Sequence, residues 1–323
     1  MKLSTSAEKR QMSGELYIIL LLVVIFAFLY IVSPSFFKIQ NIMSVLRVFS
    51  YVFISAIGMT MIIITGQIDI SFGAIASVIA IVTAAMSKRG INIELYLPVG
   101  ILIGMVLAGI NGFITTKFRI HSIVVTLATT QIYFGALLLV VDGSIYGLGA
   151  NWTWLSSRAR LFNTLPLSVL VAFIILIFSM LFFRYSRFCK KLYAIGNNRQ
   201  GAIYAGIDPD KMIIITFIIA GAFLGFSSLI IATIGTRVTC TMGTNLEMQA
   251  IAAVVVGGTN IMGGSGKIYG TALGALLLAI ISSALVSLGI NTVWTTLVTG
   301  LIIVIAVLLS ASKEYVRMRK QTN

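Results

Sequence analysis

The sequence predicts an all-α membrane protein of about ten transmembrane helices, built as two inverted-topology repeats with broken helices. Three observations predict it: too much apolar side chain for a soluble fold, a series of charge-free runs of spanning length, and internal similarity between oppositely directed segments. Hydrophobic residues make up 59% of the 323 and charged residues only 10%, against about 25% charged in a soluble domain. Mean hydropathy is +1.05. Lipid is therefore the expected solvent.

A helix needs about 20 apolar residues to cross the hydrocarbon. Charge-free runs lie at Leu16–Ser33, Val48–Thr65, Ile70–Met86, Leu95–Thr116 and Ile123–Val141. Others lie at Pro166–Phe183, Met212–Ile234, Met248–Met262, Ile268–Leu288 and Val293–Ser310, which makes ten. The whole chain, 1–323, reads as one transmembrane domain. An even number of spans puts both termini on one side.

The net charge of +14 would point to nucleic acid in a soluble protein. Here the Lys and Arg residues fill the gaps between spans, where they set topology. Membrane lipid is an expected partner and nucleic acid is not. With the N-terminus in the cytoplasm, sixteen of the 23 Lys and Arg fall inside and seven outside. That bias places a tail at 1–15, a basic loop at 184–211 and a tail at 311–323 in the cytoplasm, and both termini with them. It places 142–165 outside, with Trp152 and Trp154 as interface anchors. Lys2, Lys9 and Arg10 lead straight into a full-length span with no small-residue cleavage site, so no cleavable signal peptide is expected. The expected location is a bacterial inner (plasma) membrane.

Two spans are irregular. Thr65-Gly66-Gln67-Ile68-Asp69-Ile70-Ser71 leaves little chain between neighbouring spans, and the run from Met248 ends in Gly257-Gly258 and Gly263-Gly264. Open backbone at membrane depth is tolerated only under protein or in a watery cavity, so both are candidate broken helices. The two also correspond. Ala74-Ile75-Ala76-Ser77-Val78-Ile79 resembles Ala250-Ile251-Ala252-Ala253-Val254-Val255, with Asp69 before the first and Glu247 before the second. Residues Ile120 to Leu127 likewise resemble Ile290 to Leu297, 170 positions on. The topology runs the matched spans in opposite directions, the build of an inverted repeat.

Asp69 and Glu247 sit just before apolar helices, where a carboxylate accepts bonds from orphan N–H groups. An acid at membrane depth is also a candidate substrate contact, and both readings stand. Gln67, Asn245 and Gln249 flank these acids, and Thr126, Thr129, Thr130 and Gln131 put polar groups along one span. The expected substrate pathway is Gln67, Asp69, Thr126, Thr129, Gln131, Asn245, Glu247 and Gln249. The threonines have the alternative of bonding back to their own helix.

Catalytic and metal chemistry find little support. Cys189 and Cys240 are too few for a disulfide framework or metal site, and His121 is the single histidine. Cys189 is expected inside and Cys240 near the outer face, too far apart to pair. Gly263-Gly264-Ser265-Gly266-Lys267 is no phosphate loop, because Ile261 and Ile268 stand where that pattern needs Gly and Ser/Thr. These glycines suit a tight turn between close-packed helices. No cofactor is expected in this chain.

Between two spans, Asn197 to Ile207 reads Asn-Asn-Arg-Gln-Gly-Ala-Ile-Tyr-Ala-Gly-Ile. This polar, Gly- and Ala-studded stretch has the character of a docking surface. Asn197, Asn198, Arg199, Gly201, Ala205 and Gly206 are its candidate contacts.

Gln67-Ile68-Asp69-Ile70-Ser71-Phe72-Gly73 is similar to the Gly-Ile-Asp-Leu-Ser-Val-Gly signature of permease subunits of sugar ABC importers, of the ribose, galactoside and arabinose type. Tyr193-Ala194-Ile195-Gly196-Asn197-Asn198, continuing to Ala205-Gly206-Ile207, resembles that family's cytoplasmic coupling loop, which implies a short helix there lying in a cleft of the ATPase. The run from Leu246 to Gly258, with Gly263-Gly264-Ser265-Gly266 after it, resembles its most distinctive segment. Gln67 replaces the usual glycine, and Leu246-Glu247-Met248 leans toward the rhamnose and autoinducer branch. The resemblance spans about residues 40 to 310. It implies a permease that is not itself an enzyme, a second permease copy or homologue, cytoplasmic ATPase subunits that bind the ATP, and an external sugar-binding protein. A proton-coupled secondary transporter using Asp69 and Glu247 is the alternative.

Overall fold

The computed structural model describes residues 14–141, 146–147, 160–161, 165–234, 237–290, 294 and 296–305. The tails at 1–13 and 306–323, and Trp152 and Trp154, lie outside the described residues. The described chain is helical: α1 Gly14–Val32, α2 Ile39–Ile64, α3 Phe72–Lys88, α4 Tyr96–Phe118, α5 Ser122–Val141 and α6 Leu167–Tyr185. There follow α7 Arg187–Asn197, α8 Arg199–Tyr204, α9 Pro209–Ile234, α10 Leu246–Val256, α11 Ile268–Ser287 and α12 Thr296–Ile305. Among the described residues, six helices are long and apolar enough to span a membrane, and shorter apolar helices occupy the other four predicted runs.

Large apolar side chains on α1, α5 and α6 face outward, including Ile31, Leu139, Val140 and Phe178. In water such faces would drive aggregation. In lipid they are solvated. The core lies on α2, whose residues from Phe49 to Ile64 are buried with the exception of Tyr51. A helix buried all round needs small neighbours as well as apolar ones.

The packing is reciprocal between the halves. α4 runs along α9 as α11 runs along α2, and α3 meets α9 as α10 meets α2. Those pairings are what a repeat of α2–α4 in α9–α11 requires. Backbones touch where they meet. A Cβ on Gly221 would strike the Gly104 carbonyl and lie 2.9 Å from the Ala108 Cβ. A Cβ on Gly257 would lie 2.6 Å from the Gly270 carbonyl oxygen. Lipid gives no hydrophobic drive between helices, so close backbone approach at small residues supplies dispersion contact instead. Short strand pairs tie connections together: Tyr146–Gly147 pairs antiparallel with Arg237–Val238, and Arg160–Leu161 with Leu165–Pro166.

Within the 184–211 stretch lie two helices, α7 and α8, where the resemblance implies a short one. Ser186 caps α7 by accepting from the Phe188 N–H, and Asn198 caps α8 by accepting from the Gly201 N–H at 2.9 Å. Cys189, Leu192 and Ile195 are buried on one face of α7, and Leu192 and Ile195 pack with Met61 and Ile64 of α2. That apolar stripe is sparse in a basic, polar stretch, so composition alone reads as loop.

Gly221→Val should destabilise by at least about 2 kcal/mol, because a backbone obstacle cannot rotate away. Gly135→Val, on the open face of α5 with nothing within 4 Å of its Cβ, should change little. Thermal melts of the two variants in detergent check this.

Candidate functional site

α2 ends at Ile64, Gly66 takes φ +77°, and residues 67–70 run without regular structure before α3 begins at Phe72. Two exposed-backbone problems arise there, and α5 answers both. The Ile68 N–H donates to Ser122 Oγ at 2.9 Å and the Ile70 N–H to Thr126 Oγ1 at 3.1 Å. An unpaired N–H at this depth costs several kcal/mol, so the two hydroxyls are structural supports.

Asp69 is fully buried. Its Oδ1 accepts from the Ser71 N–H at 2.8 Å and the Ser71 hydroxyl at 2.6 Å. Ser71, and not Asp69, occupies the α3 N-cap position. Asn111 Nδ2 donates to Ser71 Oγ at 2.7 Å, and the Tyr133 hydroxyl shares its proton between Leu107 O and Asn111 Oδ1. Asp69 Oδ2 has no partner.

The second break meets the first. Glu247 lies in the first turn of α10, and its carboxylate fills the space where a Gly73 Cβ would stand. Its Oε2 is buried without a hydrogen-bond partner. The Gly243 N–H donates to Ser77 Oγ at 3.0 Å. The N-termini of two half-helices therefore converge, each with a carboxylate at its positive end. Asn245 takes φ +70° and its Nδ2 donates to Thr296 Oγ1 at 3.1 Å.

At the far side of α10 the breaks meet again. The Gly264 N–H donates to the Ile64 carbonyl at 2.9 Å, and a Gly263 Cβ would lie 2.8 Å from Gly66 N. α7 rests on this junction. The Tyr193 hydroxyl donates to Gly266 O at 2.7 Å and Asn197 Nδ2 to Gly264 O at 3.1 Å. Gly196 has no room for a side chain, because its Cβ would strike Ile64 O and Gly264 N. The glycine run is a turn between packed helices, with φ of +91° and +76° at Gly263 and Gly264.

Of the expected pathway residues, Gln67, Asp69 and Thr126 come together at the first break, with Glu247 against them. Asn245 and Gln249 gather at the second. Thr126 shows the foreseen approach of its hydroxyl to its own helix, at the Ile123 carbonyl, and also takes the Ile70 N–H, which was not foreseen. Thr129 and Thr130 bond back to Thr126 O, and Gln131 lies on the exposed face of α5. Of the expected docking residues, Asn197, Asn198, Arg199, Gly201, Ala205 and Gly206 are all exposed, beside Ile203 and Tyr204. Arg199 is ion-paired with Asp210. Asn111, Ser122 and Tyr133 were missed by sequence reasoning. An asparagine inside an otherwise apolar span was the available signal for Asn111.

Residues 41–307 match the family described as branched-chain amino acid transport system / permease component, and the chain belongs to that family. It is 30% identical over 295 residues to the ribose import permease protein of Haemophilus influenzae, covering 89% of this chain and 90% of that one. It is 33% identical over 285 residues to the ribose import permease protein of Bacillus subtilis, covering 88% of each. It is 32% identical over 304 residues to the autoinducer 2 import system permease protein of Yersinia enterocolitica, covering 94% of this chain and 84% of that one. No solved structure matches. The chain is thus a multi-pass permease component of an importer, a transport subunit and not an enzyme. The proton-coupled alternative finds no support in this membership.

Asp69→Asn should be milder than Asp69→Leu. Asparagine keeps an acceptor for the Ser71 N–H, whereas leucine leaves it unpaired, at a cost of about 1 kcal/mol or more. Folded yield and thermal midpoint of the two variants read the difference.

Burial pushes the Cys189 thiol up to about 12, from an ordinary value of 9.0. Its thiolate fraction near neutrality falls about a thousandfold, so maleimide should label it from neither side until the protein is unfolded. Mass spectrometry of labelled membranes, before and after denaturation, checks this.

Proposed function

We propose that this chain is the permease subunit of an ATP-driven importer for a sugar or sugar-like neutral solute. It works with cytoplasmic ATPase subunits that bind the ATP, a second permease that is a copy or homologue, and an external binding protein. It lies in a bacterial inner membrane with both termini cytoplasmic. The charge bias supports that orientation, since it puts α7 and α8 on the ATPase side.

One observation carries the reading: the helix pair in the basic stretch rests on the ends of both broken helices. α8 offers Ile203 and Tyr204, 45% and 82% exposed, beside Gly201, Ala205 and Gly206. An apolar, small-residue tip suits a cleft in a partner. α7 joins it to Ile64 and Gly264 through Gly196 and Asn197. A push on α8 therefore reaches Gly66 and Gly263 together. From Gly66 only the stretch through Gln67 and Asp69 separates it from α3.

The sugar assignment is supported by the relatives named above, two of them ribose import permeases. The groups around the breaks agree with a neutral cargo, being mostly hydroxyls and amides. They are Gln67, Thr126, Thr129, Asn245 and Gln249, with Gln131 on the outer face of α5. Asp69 and Glu247 serve helix ends more than cargo charge.

Two variants separate docking from transmission. Tyr204→Arg should abolish copurification with the ATPase and with it uptake. Asn197→Ala should keep ATPase binding and ATP hydrolysis while uptake falls about tenfold, as one connecting hydrogen bond is lost. Parental uptake by Asn197→Ala, or parental ATPase binding by Tyr204→Arg, would contradict the assignment. Copurification and vesicle uptake are the measurements.

A further inference from the structure

The two halves differ where they should match. The 170-residue offset that aligns Ile120–Leu127 with Ile290–Leu297 continues along both helices. It pairs Thr126 with Thr296, Thr129 with Thr299, Thr130 with Gly300, and Tyr133 with Ile303. In the first half this face is closed. Thr126 takes the Ile70 N–H, Thr130 bonds Thr126 O, and Tyr133 reaches across to α4. In the second half two of the four positions have lost their polar atoms, and Tyr133 and Thr130 have become smaller residues.

A cavity of about 130 Å³ lies there, lined by Asn245, Met248, Gln249, Thr296, Thr299, Gly300 and Ile303. Among the described residues, no charged side chain lines it. Gln249 Oε1 is buried with no hydrogen-bond partner, which costs free energy unless a donor arrives. The Asn245 amide reaches Thr296 Oγ1 across the rim, from a left-handed backbone at φ +70°. A strained residue held over a cavity is a feature of ligand sites. Met248 and Ile303 give an apolar wall opposite the amides and hydroxyls.

We infer that this cavity is a binding station for one neutral polyhydroxy molecule of monosaccharide size. Gln249 Oε1 accepts from a ligand hydroxyl, Thr299 and Asn245 bond others, and the apolar C–H face of the ring lies on Met248 and Ile303. The second repeat leaves this space open, while in the first the matching face is closed by the support it gives the Ile70 backbone. The inference rests on the proposed sugar import and names where on the chain the sugar is held.

The test uses the full importer, permease with its ATPase and binding protein, in proteoliposomes. The probes are radiolabelled ribose, galactose, arabinose and rhamnose. Two variants are compared with the parent on whichever sugar it accumulates. Gln249→Leu removes the unpaired acceptor. The double variant Gly300→Thr/Ile303→Tyr rebuilds the first-half face. A Cβ at Gly300 meets nothing within 4 Å, so threonine enters the space without a clash. Uptake at limiting sugar should fall about five- to tenfold in Gln249→Leu, the effect of one lost hydrogen bond, and further in the double variant. Copurification with the ATPase should persist in both, which separates cargo binding from assembly. If both variants transport the sugar with the parent's rate and KM, the cavity is not a station, though sugar import stands. If the parent accumulates none of the four, sugar import itself fails and takes this inference with it.

Discussion

The structure depends on keeping an unwound stretch of backbone satisfied inside a low-dielectric bundle. Between Gly66 and Phe72 the chain gives up helical hydrogen bonding, and water is not there to replace it. Ser122 and Thr126 take the Ile68 and Ile70 N–H groups, and Asp69 takes that of Ser71. Those bonds fix α5 against the break. They also set the start of α3 beside the start of α10, where the carboxylate of Glu247 meets the space left by Gly73. Asn111 and Tyr133 extend the same network to α4 and α5. Removing the acceptor at one of these points exposes a donor that nothing else can reach.

Small residues let this arrangement close. Gly104 against Gly221 joins α4 to α9, and Gly257 against Gly270 joins α10 to α11. Gly196 against Ile64 and Gly264 seats α7 on both breaks. In each case backbone lies against backbone, so the contact has little freedom to slide. A helix docked in this way transmits displacement better than one resting on flexible side chains. That is why the junction under α7, and not only the exposed tip of α8, matters for coupling.

Much of this was legible in the sequence. The ten apolar runs, the broken helix at 65–71 and the short helix after Glu247 follow from spacing and glycine content alone. The similarity of 74–79 to 250–255 agrees with the reciprocal packing of α3 on α9 and of α10 on α2, whereas Thr126 and Thr296, matched at the 170-residue offset, take different partners. Other features were hidden for physical reasons. Ser122, Asn111 and Tyr133 act through partners 22 to 54 residues away, and a linear pattern carries no record of such pairs. Composition gave no separate sign of α7 and α8, because their buried stripe is short and diluted by Lys and Arg, and only the resemblance implied a short helix there. Gln131 looked equivalent to its threonine neighbours, and only helical phase puts it on the exposed face.

Transport follows if α8, α7 and the two glycine-bearing ends move as one body while the spans beyond them tilt. The direct measurement is pulsed electron paramagnetic resonance between spin labels in the importer, with Cys189 and Cys240 replaced. One pair is Tyr204→Cys with Met262→Cys, both highly exposed. The other is Met262→Cys with Val140→Cys at the far end of α5. Between nucleotide-free and ATP-trapped states, the 204–262 distance should stay fixed and the 262–140 distance should shift. A change in the first with none in the second would contradict the account.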